Sequence, residues 1–390
     1  MKKFLYIFIC AVLLWGCAPP AESLPPETAT EETLMEQTPE TTPESVFETT
    51  PPQPKDPLRQ LLDSMTLEQR VGQLFLARHP QSGAMEDLQR CHLGGYILFA
   101  ADFEGKTPEE IRSTLAAYQE AAEIPLLIAV DEEGGTVTRV SRYTAFRNEK
   151  FASPRTYFSR GGMDAVLAAE EEKSELLTCL GINVNMGPVA DMAWDPAAFM
   201  YHRSLGQDAL TTSEFVAGTV EIMEKHRLGS VLKHFPGYGS NADTHTGSAV
   251  DKRSLQTLEG QDLVPFRSGI DAGCDAILVS HNIIAALDDS LPASLSPEVY
   301  RYLRKDMGFG GVAVTDDLVM EAVMALYDPG EAAVRAVLAG SDLLCCSDYV
   351  TQYDAVLAAV LEGRISIDRL NEAVLRVLRW KQDLGLLNNS

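Results

Sequence analysis

The sequence predicts a single (β/α)₈ TIM-type barrel of the α/β class. Eight short apolar runs recur along residues 57–390 with little polar alternation, as strands buried on both faces of a parallel sheet require. Helix-periodic stretches separate these runs, and glycines stand where three of the helices must stop. The stretch is long for one domain yet ordinary for eight βα units. An open doubly wound sheet rarely needs so many parallel strands in one run.

Taken in order, residues 1–16 read as a signal peptide. Lys2 and Lys3 precede an apolar run from Phe4 to Trp15, too short to stay in a bilayer but right for the core of a secretory signal. Leu14-Trp15-Gly16-Cys17 resembles the lipobox of bacterial lipoproteins. That resemblance implies cleavage before Cys17, a lipidated N-terminal cysteine and an extracytoplasmic, membrane-anchored protein; the alternative is ordinary export with Cys17 discarded. Residues 17–56 are rich in Pro, Thr, Glu and Ser and nearly devoid of apolar side chains, so they are expected to form a disordered, self-repelling stalk.

The eight runs are Gly72 to Ala77, Gly94 to Phe99, Leu126 to Val130, Ile182 to Val189, Ser230 to His234, Ala276 to Ser280, Gly311 to Thr315 and Asp342 to Cys346. Helical patterns between them include Pro108 to Ala122, Thr212 to Arg227, Leu263 to Ala272 and Gly330 to Ala339. Gly229, Gly273 and Gly340 are expected to be C-caps of the last three. Asp368 to Gln382 reads as a final amphipathic helix, leaving no room for a second domain.

Five cysteines remain beyond Cys17: Cys91, Cys179, Cys274, Cys345 and Cys346. Their odd number and scattered spacing make no disulfide framework, and adjacent Cys345 and Cys346 should face opposite sides of a strand. All five are expected to be small buried apolar residues. The formal charge is −24, and −26 once Lys2 and Lys3 leave with the leader. With no basic cluster anywhere, nucleic acid is excluded as a partner, and solubility accounts for the acidity.

Barrel enzymes place their chemistry at the C-terminal ends of the strands. There the sequence puts Asp131-Glu132-Glu133-Gly134-Gly135 after run three, Asp191 after run four and Lys233-His234 closing run five. His281-Asn282, Asp316-Asp317 and Ser347-Asp348 follow the last three runs. A mouth rich in carboxylates suits a substrate carrying many hydroxyls. Asp243-Thr244-His245, on the Gly-rich loop after Lys233-His234-Phe235-Pro236-Gly237-Tyr238-Gly239, has the spacing of an acid/base dyad, in which a carboxylate fixes an imidazole tautomer. Taken singly, Asp131, Asp191 and Asp316 are as well explained as helix caps, and Asp317 is better explained so.

From Met65 to Trp380 the chain resembles the β-N-acetylglucosaminidases of glycoside hydrolase family 3. The matches include Met65-Thr66-Leu67-Glu68, Asp131 to Gly135 with Arg139, Asn183 to Asp191, Arg203-Ser204-Leu205-Gly206, Pro292 to Ser296 and Gly308 to Met320. The segment Lys233 to Gly239 followed by Asp243-Thr244-His245 resembles the hexosaminidase branch. The resemblance implies that Asp316 is the nucleophile, His245 the general acid/base and Asp243 its support. It also implies that Asp131, Arg139, Arg203, Lys233 and His234 contact the sugar. Tyr238 and Leu205 depart from a frequent His and Phe, which bears on subsite detail.

The expected activity is retaining, exo-acting removal of terminal β-linked GlcNAc, with peptidoglycan fragments (muropeptides) as the implied source, by a monomer that needs no metal and no cofactor. Should His245 not be the acid, Glu133 is the next candidate. Phosphate in place of water as acceptor, giving a phosphorylase, is the principal alternative, beside another β-glycosidase of the same family. More distant are a zinc hydrolase using His234, His281, Asp316 and Lys233, and a sugar-binding lipoprotein without catalysis.

Overall fold

In the computed structural model of the protein, the described residues are 56–239 and 249–387. The leader, Cys17, the stalk up to residue 55, and the pair Asp243 and His245 lie outside them. Eight strands form the central sheet: β1 Phe75–Arg78, β2 Gly95–Leu98, β3 Leu127–Val130, β4 Val184–Asn185, β5 Gly229–Phe235, β6 Ala276–Val279, β7 Val312–Thr315 and β8 Leu344–Cys346. They are hydrogen-bonded in the order β8-β1-β2-β3-β4-β5-β6-β7, every pair parallel. A parallel bridge from Val314 to Leu343, with Thr315 N–H donating to the Leu343 carbonyl at 3.1 Å, joins β7 to β8 and closes the ring.

Each strand buries both faces. Leu76, Leu127, Val184, Val231 and Leu343 fill the barrel interior, while their strand neighbours face the surrounding helices. Each such side chain contributes roughly 1.5–3 kcal/mol by leaving water. Cys345 belongs to the inner cluster and Cys346 to the outer one, on opposite sides of β8 as expected. Cys179 departs from expectation: it ends the helix Pro154–Cys179 and is exposed, because its turn faces solvent rather than the sheet.

Two further departures have local causes. The run from Ile182 to Val189 yields only a two-residue strand, because Pro188 has no N–H for the ladder. Pairing resumes beyond it, where Val189 bridges Lys233 and Ala190 N–H donates to the Lys233 carbonyl at 2.8 Å. Gly229 is no helix cap. It opens β5, and a Cβ there would come within 2.9 Å of the Trp380 ring. The left-handed residue after the helix Ala209–Lys225 is Arg227, with φ of 53°. Gly273 and Gly340, by contrast, both sit at positive φ just past their helices.

The floor of the barrel is made by the last helix, Ile367–Asp383, whose Val377 and Trp380 join the inner cluster together with Leu384. Ser366 caps it by accepting the Arg369 N–H. With the floor closed, the open end is the C-terminal mouth of the strands.

Candidate active site

Strand β3 delivers Asp131 to the mouth, and the chain then reverses at Gly134 and Gly135. Gly134 has φ of 100° and a Cβ there would stand 2.2 Å from the Ala152 carbonyl oxygen, so only glycine fits. Buried Glu132 organises the returning loop: its carboxylate accepts the backbone N–H groups of Arg139 and Val140 at 2.8 and 2.7 Å and the Ser141 hydroxyl at 2.5 Å. Arg139 is thereby placed beside Asp131, 3.5 Å away.

Strand β5 brings Lys233 and His234 to the same level; the Lys233–His234 and Phe235–Pro236 peptides are both cis. Lys233 Nζ stands 2.7 Å from Asp131 Oδ1 and 2.7 Å from Glu133 Oε1. Arg203 grips Glu133 with both arms of its guanidinium, Nε to Oε2 at 2.9 Å and NH2 to Oε1 at 2.7 Å. Burial opposes ionisation of Glu133, but the charges of Arg203 and Lys233 outweigh it and hold this carboxyl well below the usual range. Burial likewise opposes the charge on Lys233, and Asp131 and Glu133 reverse that, so its ammonium is held above its ordinary value. A carboxylate so firmly ionised cannot protonate a leaving group. Glu133 is therefore no reserve acid, and its work is to hold two cations in place.

His234 continues the network. Its Nε2 faces Arg203 NH2 at 3.2 Å and its Nδ1 lies 2.7 Å from Asp191 Oδ2. Because guanidinium nitrogens only donate, Nε2 accepts and the ring proton sits on Nδ1, pointing at Asp191. The same Asp191 carboxylate accepts the backbone N–H groups of His234 at 2.9 Å and Tyr238 at 2.7 Å. Asp191 thus caps no helix; it fixes the point where the chain leaves β5. Further along the chain, Arg253 is paired with Asp251 and Asp262 at 2.6 and 2.7 Å. Tyr238 is buried and packs against His234, ring to ring at 5.4 Å in an edge-on arrangement.

Asp316 follows β7 directly and offers Oδ1 to the Asp317 N–H at 2.8 Å. Asp317 accepts the N–H groups of Val319 and Ser347 at 3.2 and 3.1 Å, fastening the end of β7 to that of β8; it is a turn and strand tie rather than a helix cap. His281 is spent similarly, Nδ1 on Ser294 Oγ at 2.7 Å and Nε2 on the Asp317 carbonyl at 3.0 Å. With both ring nitrogens of His234 and of His281 engaged and Lys233 salt-bridged, the set suggested for zinc has no histidine nitrogen to give a metal.

Asp131, Arg139, Arg203, Lys233, His234 and Asp316 all line one cavity of about 570 Å³ at the mouth, so the described sequence-derived site residues meet in one place. Phe99, Phe199, His202, Met320 and Arg78 are among the other residues of its wall and were not singled out as site residues. Position alone could have flagged two of them, since Arg78 ends β1 and Phe99 follows β2. The others come from loops whose course the sequence does not fix.

Comparison with known proteins bears on the family and the fold. Residues 66–380 match the profile of the Glycosyl hydrolase family 3 N terminal domain. A beta-hexosaminidase of Stenotrophomonas maltophilia strain K279a is 34% identical over 312 residues, covering 76% of this chain and 87% of that one. Beta-hexosaminidase A of Pseudoalteromonas piscicida is 31% identical over 330 residues, and there the chain spans only 55% of the relative's length. Among solved structures, a glycoside hydrolase family 3 beta-N-acetylglucosaminidase from Paenibacillus sp. str. FPU-7 superposes with a TM-score of 0.77 at 32% identity, over 84% of this chain and 64% of that one.

Proposed function

The chain belongs to glycosyl hydrolase family 3, and from that premise we propose that it is a retaining exo-β-N-acetylglucosaminidase acting on terminal β-linked GlcNAc. What carries the reading is the convergence of Asp316 with the ion-paired set Asp131, Lys233, Arg203 and His234 on one cavity. In the first step an Asp316 oxygen attacks the anomeric carbon as the glycosidic C–O bond breaks, and His245, supported by Asp243, delivers its proton to the departing oxygen. In the second, the imidazole takes a proton from water, which displaces Asp316 and releases the sugar with its β configuration retained. Asp131 is acceptor-only and Lys233, Arg203 and Arg139 are donor-only, a division that suits fixing sugar hydroxyls and an acetamide in one orientation.

The Asp316→Ala variant should lose several orders of magnitude in turnover of p-nitrophenyl β-GlcNAc. NMR of the first-formed sugar from the wild type should show the β anomer. Near-normal activity of the variant, or an α product, overturns the mechanism; accumulation of GlcNAc-1-phosphate in phosphate buffer moves the protein to the phosphorylases. The export reading places this activity outside the cytoplasm, with fragments of the cell wall as the accessible GlcNAc-bearing material.

A further inference from the structure

Arg203 reaches Glu133 and His234 from a stretch of chain with no regular structure. Residues 191–208 form neither helix nor strand, yet they carry Phe199, His202 and Arg203 into the main cavity. Backbone without a ladder or a helix leaves its carbonyls to be satisfied by other groups. Two of them converge on one cation. Arg155, in the first turn of the helix Pro154–Cys179, donates from Nε to the Tyr201 carbonyl at 3.0 Å and from NH2 to the Ala193 carbonyl at 2.6 Å. The same NH2 donates to the Ser204 hydroxyl at 3.1 Å, and the guanidinium carbon lies 4.0 Å from the centroid of the Tyr201 ring. Gly206, at φ of 75°, makes the room: a Cβ there would stand 2.0 Å from that carbon. Arg155 itself is half-buried and lies outside the wall of the cavity.

The segment that bears Arg155 is fastened in turn to the loop that bears Glu133. Phe151, four residues earlier, accepts the Gly135 N–H at 2.9 Å, and buried Lys173, further along the same helix, donates to the Glu133 carbonyl at 3.3 Å. The two loops that the Glu133–Arg203 ion pair joins inside the mouth are therefore joined a second time outside it. We propose that Arg155 is a positioning residue: it holds the 193–206 stretch where the Arg203 guanidinium can meet Glu133 and His234 together, and so serves sugar binding without touching the sugar. The proposal rests on the hexosaminidase reading given above. An arginine suits the task because charged donors make the stronger hydrogen bonds, and because its planar fork fixes two carbonyls in one geometry. A lysine, with a single rotatable ammonium, does not hold the pair in that way.

The test is a double-mutant cycle on the full chain with p-nitrophenyl β-GlcNAc, comparing wild type, Arg155→Ala, Arg203→Ala and the pair. Arg155→Ala should lower kcat/KM by about ten- to a hundredfold, the cost of a group displaced by ~1 Å. The loss should fall mostly on KM, since a sugar anchor moves while Asp316 on its own strand end does not. In the Arg203→Ala background the same substitution should change kcat/KM by less than about twofold, because the side chain it acts through is gone. Its effect on the urea midpoint should be similar in both backgrounds, which separates positioning from general stability. Arg155→Lys should recover only part of the KM. Should Arg155→Ala fail to fold, Arg155→Gln, which keeps one donor, carries the same cycle. Equal kinetic losses in the two backgrounds, or a loss borne by kcat with KM unchanged, overturn the proposal and leave the hexosaminidase reading intact. Failure of the wild type to turn over p-nitrophenyl β-GlcNAc overturns that reading and this one with it.

Discussion

Glu133 shows how much of the site depends on one side chain that never needs to touch substrate. Its buried carboxylate is shared by Arg203 and Lys233, and through them it sets where Asp131 and His234 can stand. Removing one partner from a buried ion network costs roughly 3–5 kcal/mol, because the remaining charges stay buried without compensation. Glu133→Gln keeps the shape but not the charge. It should lower the urea midpoint and reduce kcat/KM for p-nitrophenyl β-GlcNAc at least tenfold, since both cations shift; unchanged kinetics would show that Lys233 and Arg203 are held by other contacts. Residue types at this site were legible early, because Asp, Lys, His and Arg at strand ends stand out. Their pairings were not: Arg203 and Glu133 are 70 residues apart, Lys233 and Asp131 102 apart. Asp191 was visible as a mouth residue, yet only contact with His234 and Tyr238 reveals what it does.

Among the elements, the helix Ile367–Asp383 combines the plainest sequence signal with the least expected placement. Its periodicity announces an amphipathic helix, but that Trp380 plugs the barrel floor against Gly229 follows only from closure of the sheet. The next residue, Lys381, is fully buried, with Nζ donating to Gln73 Oε1 at 2.6 Å, and burial lowers its pKa to about 7. Below pH 7 folded and unfolded chains both carry this proton, so the cost of burying a charge is present in full. Between about 7 and the unfolded value of 10.5 the unfolded chain binds more protons, and stability rises by about 1.4 kcal/mol per pH unit from this group. Lys381→Met should therefore be more stable than wild type by a margin that is largest at pH 6 and shrinks by pH 9. Urea denaturation of both proteins at several pH values measures that margin, and a constant one would mean Lys381 keeps its proton in the folded state throughout.

On the scale of the whole molecule, we propose from the charge of −24, the Pro- and Glu-rich composition of residues 18–56 and the lipobox-like Cys17 that the enzyme is tethered to a membrane through its N-terminus. Cys17→Ala should move the protein from the membrane fraction to the soluble fraction, or leave its leader uncleaved, with the barrel's activity on p-nitrophenyl β-GlcNAc preserved. Mass spectrometry of the wild type that finds an unmodified Cys17 behind an intact leader would refute the tether.

By itself the sequence determined the fold class and the eight strands of the barrel. Burial on both faces of a parallel barrel forces apolar runs, and helix periodicity and strand-end charge are local properties written into neighbouring residues. It also determined which residue types the mouth would offer, since strand order fixes which segments end there. Tertiary structure alone decided which carboxylate neutralises which cation, that Glu133 is a clamp and not an acid, and that Gly229 yields to Trp380 rather than ending a helix. Those outcomes depend on distances between residues far apart in the chain, which ring closure sets and no local pattern encodes.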